Sequence, residues 1–411
     1  MITLDRLCAF YVPALFVTVF AKFSIPPFGS KGVALSVGAH LCTAIFRAVG
    51  IGDVRFNPTI LMLFLSFIAL IVGAPILHGD PFSILSLGLL FVLFVPLTVE
   101  FTRIRVSLDE ALGLFSILCT FIAIAGVAQY VLQGIVPRSI LFPIETFVPE
   151  SLRVSEFASD TALSYRSDIY RVNGVFLLEP SFFSQLMALG IVGELCSRNR
   201  VPLMLLYLAA MLFSYSGTGI LVLAVVLPIL FVRRRRWDFV LYAALLGLLL
   251  VLLSGTIHMD AFVARAGSFT SSKSSAFARF VGGFYLLSDR VWPDTYRTLF
   301  GFGPGSFADL ASTAHTSAAE MTLFKSLVEY GLVGSIMFFS FVCAAVFSNS
   351  ADLEIKVAVL MTLLLNGSYT AFFQPLALAL LIWPRGRLPA QALLRMGHRP
   401  IAATMEPQGQ T

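Results

Sequence analysis

The chain has 411 residues, of which 58% are hydrophobic and only 12% are charged, and its mean hydropathy is +0.88. A soluble core of this length cannot bury so much apolar surface, which excludes a soluble globular protein. The net charge of +5 does not require a nucleic-acid partner, because basic residues are expected on the cytoplasmic loops of a membrane protein. We therefore expect a chain that crosses a membrane many times.

Apolar blocks separated by turn and charged residues predict an all-α polytopic membrane protein with about 12 transmembrane helices. A bilayer core of ~30 Å needs roughly 20 apolar residues per helix, because backbone polar groups in lipid must be satisfied within their own segment. The predicted spans lie near residues 7–23, 32–48, 58–77, 82–101, 110–133, 181–197, 201–215, 217–232, 238–257, 320–347, 353–368 and 370–384. The last two blocks, on either side of Asn366-Gly367, form either one kinked helix or a span and a re-entrant piece.

The positions of Lys and Arg predict the orientation, since these residues are enriched on cytoplasmic loops. With both termini in the cytoplasm, the basic segments 198–200 and 233–236 lie inside, whereas the short connections 78–81 and 214–219, which carry no Lys or Arg, lie outside. The chain then divides into N-terminal helices (1–133), a first extracytoplasmic loop (134–180), central helices (181–257), a second extracytoplasmic loop (258–319), C-terminal helices (320–384) and a cytoplasmic tail (385–411).

Both long loops are rich in arginine, which predicts an anionic partner on the outer side. In the second loop, residues 274–290 predict a short amphipathic helix on or near the membrane. Arg279 and Arg290 project together from its polar face. The alternative is an interfacial helix whose arginines only meet lipid headgroups. The apolar face consists of Phe277, Phe280, Val281, Phe284 and Leu287.

Three glycines, Gly301, Gly303 and Gly305, follow in the segment FGFGPGSF. Their spacing does not match a nucleotide-binding loop, and no Gly-Lys-Ser/Thr follows them. With Pro304 they predict a tight bend whose glycines let the backbone approach a ligand or another chain segment closely.

His315 precedes Ser317-x-x-Glu320, which matches the capping box that opens a helix. A histidine near the positive end of a helix dipole favours neutral imidazole and suits a general base, although a lone loop histidine is usually a surface residue. Lys325 and Glu329, four residues apart inside the next span, predict an ion pair that supports the site from below. The sequence contains no metal-binding signature, so no metal and no cofactor are expected.

Three patches carry a resemblance to a known family. They are Arg171-x-x-Gly174 with Phe176 and Glu179-Pro180-Ser181; Ser268 to Arg279; and FGFGPGSF followed by His315 and the segment LVEYGLVG with Leu327, Glu329, Gly331 and Gly334. Together they resemble the superfamily of O-antigen ligases and Wzy-type polysaccharide polymerases over roughly residues 165–340. Two departures are His315-Thr316, where the family often has His-Asn, and Ser216-Gly217, where it often has Ser-Arg.

The resemblance implies a metal-independent integral membrane glycosyltransferase of the bacterial inner membrane. Such enzymes use polyprenyl-pyrophosphate-linked oligosaccharides on the outer membrane face. By position, Arg171 and Arg279 match the arginines thought to hold the pyrophosphate, with Arg290 as a further candidate, and His315 matches the histidine thought to activate the acceptor hydroxyl.

The favoured function is a polymerase of lipid-linked repeat units of O-antigen, capsule or exopolysaccharide, because Glu179-Pro180-Ser181 is more similar to the polymerases of the family than to its ligases. A ligase that transfers glycan to a lipid or protein acceptor is the first alternative. A transporter of polysaccharide or lipid-linked glycan is the second. Expected partners are membrane lipids and the flippase and chain-length regulator of the same pathway, and no nucleic acid.

Overall fold

The computed structural model describes residues 21–24, 35–38, 41, 54–101, 108–154, 161–163, 169–235, 274–348 and 351–366. This part of the chain is mostly helical. Its helices are α1 (Pro58–His78), α2 (Ile84–Phe94), α3 (Leu108–Val131), α4 (Arg138–Leu141), α5 (Pro143–Phe147), α6 (Pro180–Cys196), α7 (Val201–Phe213), α8 (Gly217–Arg234), α9 (Ser275–Phe280), α10 (Gly282–Leu286), α11 (Thr295–Phe300), α12 (Phe307–Ser312), α13 (Thr322–Phe347) and α14 (Leu353–Leu365). Two strands, β1 (Val54–Phe56) and β2 (Val99–Phe101), pair antiparallel.

Four of the described helices, α1, α3, α8 and α13, are long and apolar enough to cross a membrane. The helices α6 and α7, and α2 together with the 3₁₀ turn that follows it, are shorter and also apolar. Large apolar side chains such as Met62 on α1, Phe121 on α3 and Ile336 on α13 are at least half exposed, as expected of surfaces that face lipid. These helices indicate a membrane protein. The predicted spans at 7–23, 32–48, 238–257 and 370–384 lie largely or wholly outside the described residues.

Helix α6 lies at the centre of the bundle. Every residue from Pro180 to Leu195 is buried, and the helix packs against α3, α7, α8 and α14. A helix that is apolar all round must be enclosed on all sides by other helices. Pro180 occupies the first turn, where its missing N–H costs no hydrogen bond.

The predicted span at 82–101 is not one helix. The helix α2 ends at Phe94, and Val95–Thr98 form a 3₁₀ turn that leads into β2. Pro96 explains the change, because proline cannot donate the hydrogen bond that would continue the helix.

The predicted amphipathic helix at 274–290 is also broken. It consists of α9, α10 and a π turn over Leu287–Val291. Of the predicted apolar set, Leu287 is buried, in a small core with Leu286, Val291, Phe307 and Phe324, whereas Phe284 is exposed. This segment therefore packs on other parts of the protein through a face that only partly matches the one that the helical period predicts.

Helix α13 is interrupted at Gly331, whose backbone is left-handed (φ 65°, ψ −168°). The break separates a half that carries Lys325 and Glu329 from an apolar half that begins at Leu332. The glycine-rich loop docks at this break: Phe302 N–H donates to Val328 O (3.0 Å) and Gly303 N–H donates to Glu329 O (2.8 Å).

The three loop glycines all have positive φ angles and all lie close to another segment. A Cβ on Gly301 would lie 2.5 Å from the backbone of Glu329, and one on Gly305 would lie 2.6 Å from the Ser83 side chain. At Gly303 the nearest atom, on Pro75, would be 3.1 Å away. The glycines thus let this loop approach α13 and the α1–α2 connection.

The contacts between the connecting segments form two groups. Segments predicted to lie outside meet each other: the second loop contacts the 78–81 connection, and the first loop contacts the 214–219 connection. At the other end of the bundle, Arg233 pairs with Glu354 (3.0 Å) and Arg234 pairs with Asp352 (2.7 Å).

Replacing Gly301 or Gly331 with alanine is expected to destabilise the protein strongly. Each change places a Cβ within 2.5 Å of backbone atoms at a positive φ angle, so strain and overpacking together should cost about 2–5 kcal/mol. The measurement is the thermal midpoint of the detergent-purified protein. Gly134→Ala is the control, because no atom lies within 4 Å of its Cβ position. Equal midpoints for Gly301→Ala and Gly134→Ala would contradict the docking.

Candidate functional site

Arg279 reaches the first turn of α6. Its Nη2 donates to the carboxylate of Glu179, the residue that precedes Pro180 and caps the helix. The Ser181 hydroxyl donates to the same carboxylate oxygen, Oε2, at 2.8 Å. The side chains of Arg279 and Glu179 are 15% and 19% exposed, so the pair is shielded but within reach of solvent. Two of the sequence patches therefore meet, through residues that are 100 positions apart in the chain.

Arg171 lies beside the connection between the end of α7 and the start of α8. It is buried, and its Nε donates to the carbonyl oxygen of Ser214 at 3.1 Å. From Ser214 a chain of hydrogen bonds passes through Ser216 and Thr218, and the Thr218 hydroxyl donates to Ser181 O at 3.1 Å. Arg171 and Arg279 are thus connected to the same end of α6 through its first turn.

His315 lies in a bend between α12 and the extended segment that leads to α13, and its side chain is exposed. This segment runs beside the helix that carries Arg279: Ala319 N–H donates to Ala278 O at 2.9 Å. Gly282 lies so close to the segment that a Cβ would be 2.1 Å from Ser317 O. The structure therefore brings the segment that follows His315 next to the helix that carries Arg279.

The predicted capping box is wrong. Ser317 does not begin a helix, because α13 starts at Thr322 and its N-cap residue is Met321, which makes no side-chain cap. The backbone of residues 317–319 is instead used in the contact with α9 and α10. The argument that a helix dipole acts directly on His315 therefore fails.

Lys325 and Glu329 form the expected pair, with Nζ and Oε1 3.6 Å apart, and both side chains are buried. Glu329 also contacts the second loop, and Lys325 contacts the segment that follows this loop. Lys325 Nζ lies 2.9 Å from Glu320 Oε1, and Glu329 Oε1 accepts from Phe307 N–H at 3.4 Å. The pair thus joins α13 to the segments on both sides of His315.

Arg290 does not share a helix with Arg279, since it lies in the π turn, and it has a different partner. Its exposed side chain donates to Thr313 O at 3.2 Å and so holds the turn that carries His315. Arg138 lies over the Tyr170 ring, 4.4 Å from its centroid, and Arg153 donates to Glu145 O at 2.8 Å. Several arginines of the two loops therefore bind groups of the protein itself.

An anchor that the sequence analysis did not predict joins the second loop to the end of α1. Arg297 donates to both oxygens of Asp80, at 2.8 Å for Nη2 to Oδ1. His78 stacks on Tyr296 with ring centroids 4.3 Å apart, and the Tyr296 hydroxyl donates to Ala74 O at 2.7 Å. The only feature of the sequence that hints at this anchor is the single acidic residue in the connection HGDP.

In the described residues, no three His, Cys, Asp or Glu side chains are placed to hold a metal ion.

The anchor is expected to weaken in acid. The hydrogen bond from Arg297 lowers the pKa of Asp80 below its usual value of 3.8. A carboxylate with a lower pKa in the folded state stabilises the protein above its unfolded pKa, and this contribution is lost as the pH falls through the folded value. Thermal midpoints measured from about pH 6 to about pH 3 should fall less in Asp80→Asn than in the parent. Equal slopes would contradict this role, and Asp309→Asn, on the exposed face of α12, is the control.

A scan against models of protein families and a search of characterised proteins each found no match to this sequence.

Proposed function

We propose that the protein is a metal-independent polymerase of lipid-linked oligosaccharide repeat units that acts on the outer face of a bacterial inner membrane. It transfers a growing chain from polyprenyl pyrophosphate to a hydroxyl of a new lipid-linked repeat unit. The observation that carries the proposal is the meeting of Arg279, the Glu179-Pro180-Ser181 turn and the segment with His315 at one end of the bundle.

The arginines supply the charge that such a donor needs. A sugar leaves pyrophosphate readily when fixed cations stabilise the negative charge that develops, and the arginine fork can bond two phosphate oxygens at once. Arg279 is bonded to Glu179. Donor binding would exchange this carboxylate for phosphate, and Ser181 would keep Glu179 at the rim of the site.

His315 supplies the base. A general base works best with a pKa near the ambient pH, which suits imidazole. The exposed position of His315 leaves it accessible to an incoming acceptor. In the step, the acceptor oxygen bonds the anomeric carbon, the bond from that carbon to the pyrophosphate oxygen breaks, and the acceptor proton passes to His315.

The ligase alternative uses the same donor and the same arginines and differs only in the acceptor. Nothing in the described contacts favours a lipid or protein acceptor over a repeat unit. Transport is less well supported, because the buried acids of the described helices are paired within the bundle, as Glu194 is with Arg200 (2.6 Å) and Glu354 with Arg233. Ions and substrates that are transported need groups that line a pathway.

Arg279→Lys is expected to lower polymer formation by an order of magnitude or more, because it keeps the charge but loses the two-pronged hydrogen bond. The assay is the formation of glycosidic bonds by purified protein in vesicles supplied with the lipid-linked repeat unit and no ion gradient. Arg138→Lys, in the first loop but stacked on Tyr170, is the matched control. An Arg279→Ala variant with parental activity would refute the assignment.

Glu179→Gln should lower the donor concentration for half-maximal rate, because no carboxylate then competes with the donor phosphate for Arg279.

His315→Ala should cut turnover by roughly 10²- to 10⁴-fold while donor binding and membrane insertion persist. Cells should then carry single repeat units in place of a polymer ladder. Lys325→Ala is the structural control, since it removes a buried partner of Glu329 and should reduce the inserted protein together with the polymer. If His315→Ala lowers protein and polymer in equal measure, the histidine is structural and the base lies elsewhere.

A further inference from the structure

A cavity of about 330 Å³ opens beside the turn that carries His315. One wall is α12, with Ala308, Ala311 and Ser312. The other wall is the extended segment that follows His315, with Ser317, Ala318 and Glu320. Small-molecule sites usually measure ~300–1,000 Å³, so this cavity has room for a ligand of about one sugar ring rather than for an oligosaccharide.

The walls combine apolar and hydrogen-bonding groups in the way that a sugar ring requires. The methyl groups of the three alanines form apolar surface for the C–H faces of a ring, and the buried ring of Phe307 lies behind them. The Ser312 hydroxyl donates to Asp309 O at 2.7 Å, so toward a ligand it can accept. The Ser317 hydroxyl can donate and accept, and the Glu320 carboxylate can accept from two ring hydroxyls. In the same turn, the Thr316 hydroxyl oxygen is buried and has no partner among the described residues.

Glu320 is held in position by its neighbours. Lys325 Nζ lies 2.9 Å from its Oε1, and Lys325 is itself buried and paired with Glu329. The side chain of Glu320 is 34% exposed, so it borders the cavity without being enclosed. A fixed carboxylate favours hydroxyl donors and repels an acidic sugar such as a uronic acid.

We infer that this cavity binds the uncharged sugar ring at the acceptor end of the incoming repeat unit, and that Glu320 sets its specificity. The inference rests on the proposed function. The segment 317–319 borders the cavity on one side and contacts the helix of Arg279 on the other. The acceptor ring would therefore bind across this segment from the donor pyrophosphate, next to His315.

The test places a cysteine in the cavity of the full-length protein, as Ser312→Cys. Right-side-out vesicles are treated with a membrane-impermeant methanethiosulfonate, with and without the single lipid-linked repeat unit purified from a host that lacks this chain. The repeat unit should slow modification of Ser312→Cys several-fold. It should not slow modification of Asp309→Cys, which lies on the exposed face of the same helix, outside the cavity.

Three further variants test the role of Glu320 and of the cavity in binding the acceptor. Glu320→Gln loses a charge-assisted hydrogen bond and should raise the repeat-unit concentration for half-maximal rate by about tenfold with little change in maximal rate. Ser312→Trp should fill the cavity and abolish polymer, whereas Asp309→Trp should not. Because Glu320 also contacts Lys325, the amount of inserted protein is measured for each variant.

The outcomes separate the two proposals. If the parent makes polymer but Ser312→Cys is unprotected and Ser312→Trp is active, the acceptor site is overturned and the proposed function stands. If the parent forms no glycosidic bond from the lipid-linked repeat unit, the function fails and the acceptor site fails with it. Protection at position 312, with the expected change in Glu320→Gln, supports both.

Discussion

The backbone contact between Gly301 and Gly331 determines where the second loop lies. Both residues have left-handed φ angles, and a Cβ on either would overlap the backbone of the other segment. Since only glycine tolerates both conditions, the end of α11 can enter the break in α13. The chain that continues from this contact carries α12, His315 and the walls of the cavity. The position of the candidate base therefore depends on two residues that carry no functional group.

The described arginines of the two loops are largely satisfied by the protein itself. Arg279 binds Glu179, Arg297 binds Asp80, and Arg290 binds a backbone carbonyl. An unpaired charge in a shielded site is costly, so the ligand-free chain needs an internal partner for each. A phosphate would have to replace such a partner. Glu179 suits this exchange, because it lies at the rim of the site and has Ser181 as a second hydrogen-bond donor.

Helix α6 connects the candidate site to the membrane part of the fold. Its buried body packs against α3, α7, α8 and α14, so its first turn is held rigidly. Glu179 extends from that turn toward Arg279, and the carbonyl of Ser181 accepts from Thr218 at the start of α8. Groups on rigid helices hold catalytic geometry better than groups on free loops. This arrangement is consistent with a site in which phosphate binds to fixed arginines and the acceptor approaches from the more exposed loop.

Hydropathy and proline positions predicted the class of protein and most of the described membrane helices, because they are local properties that act wherever the segment is placed. The sequence also predicted the tight glycine bend and the pair of Lys325 with Glu329, whose spacing lies within one helix. Where it was wrong, a distant segment competed for the same backbone: residues 317–319 bond α9, pack against α10 and do not form a cap. The partners of the arginines could be seen only in the folded chain, since Arg279 and Glu179 are 100 residues apart and Arg297 and Asp80 are 217 apart. Ion pairing depends on distance in space, and no local pattern in the sequence encodes that distance.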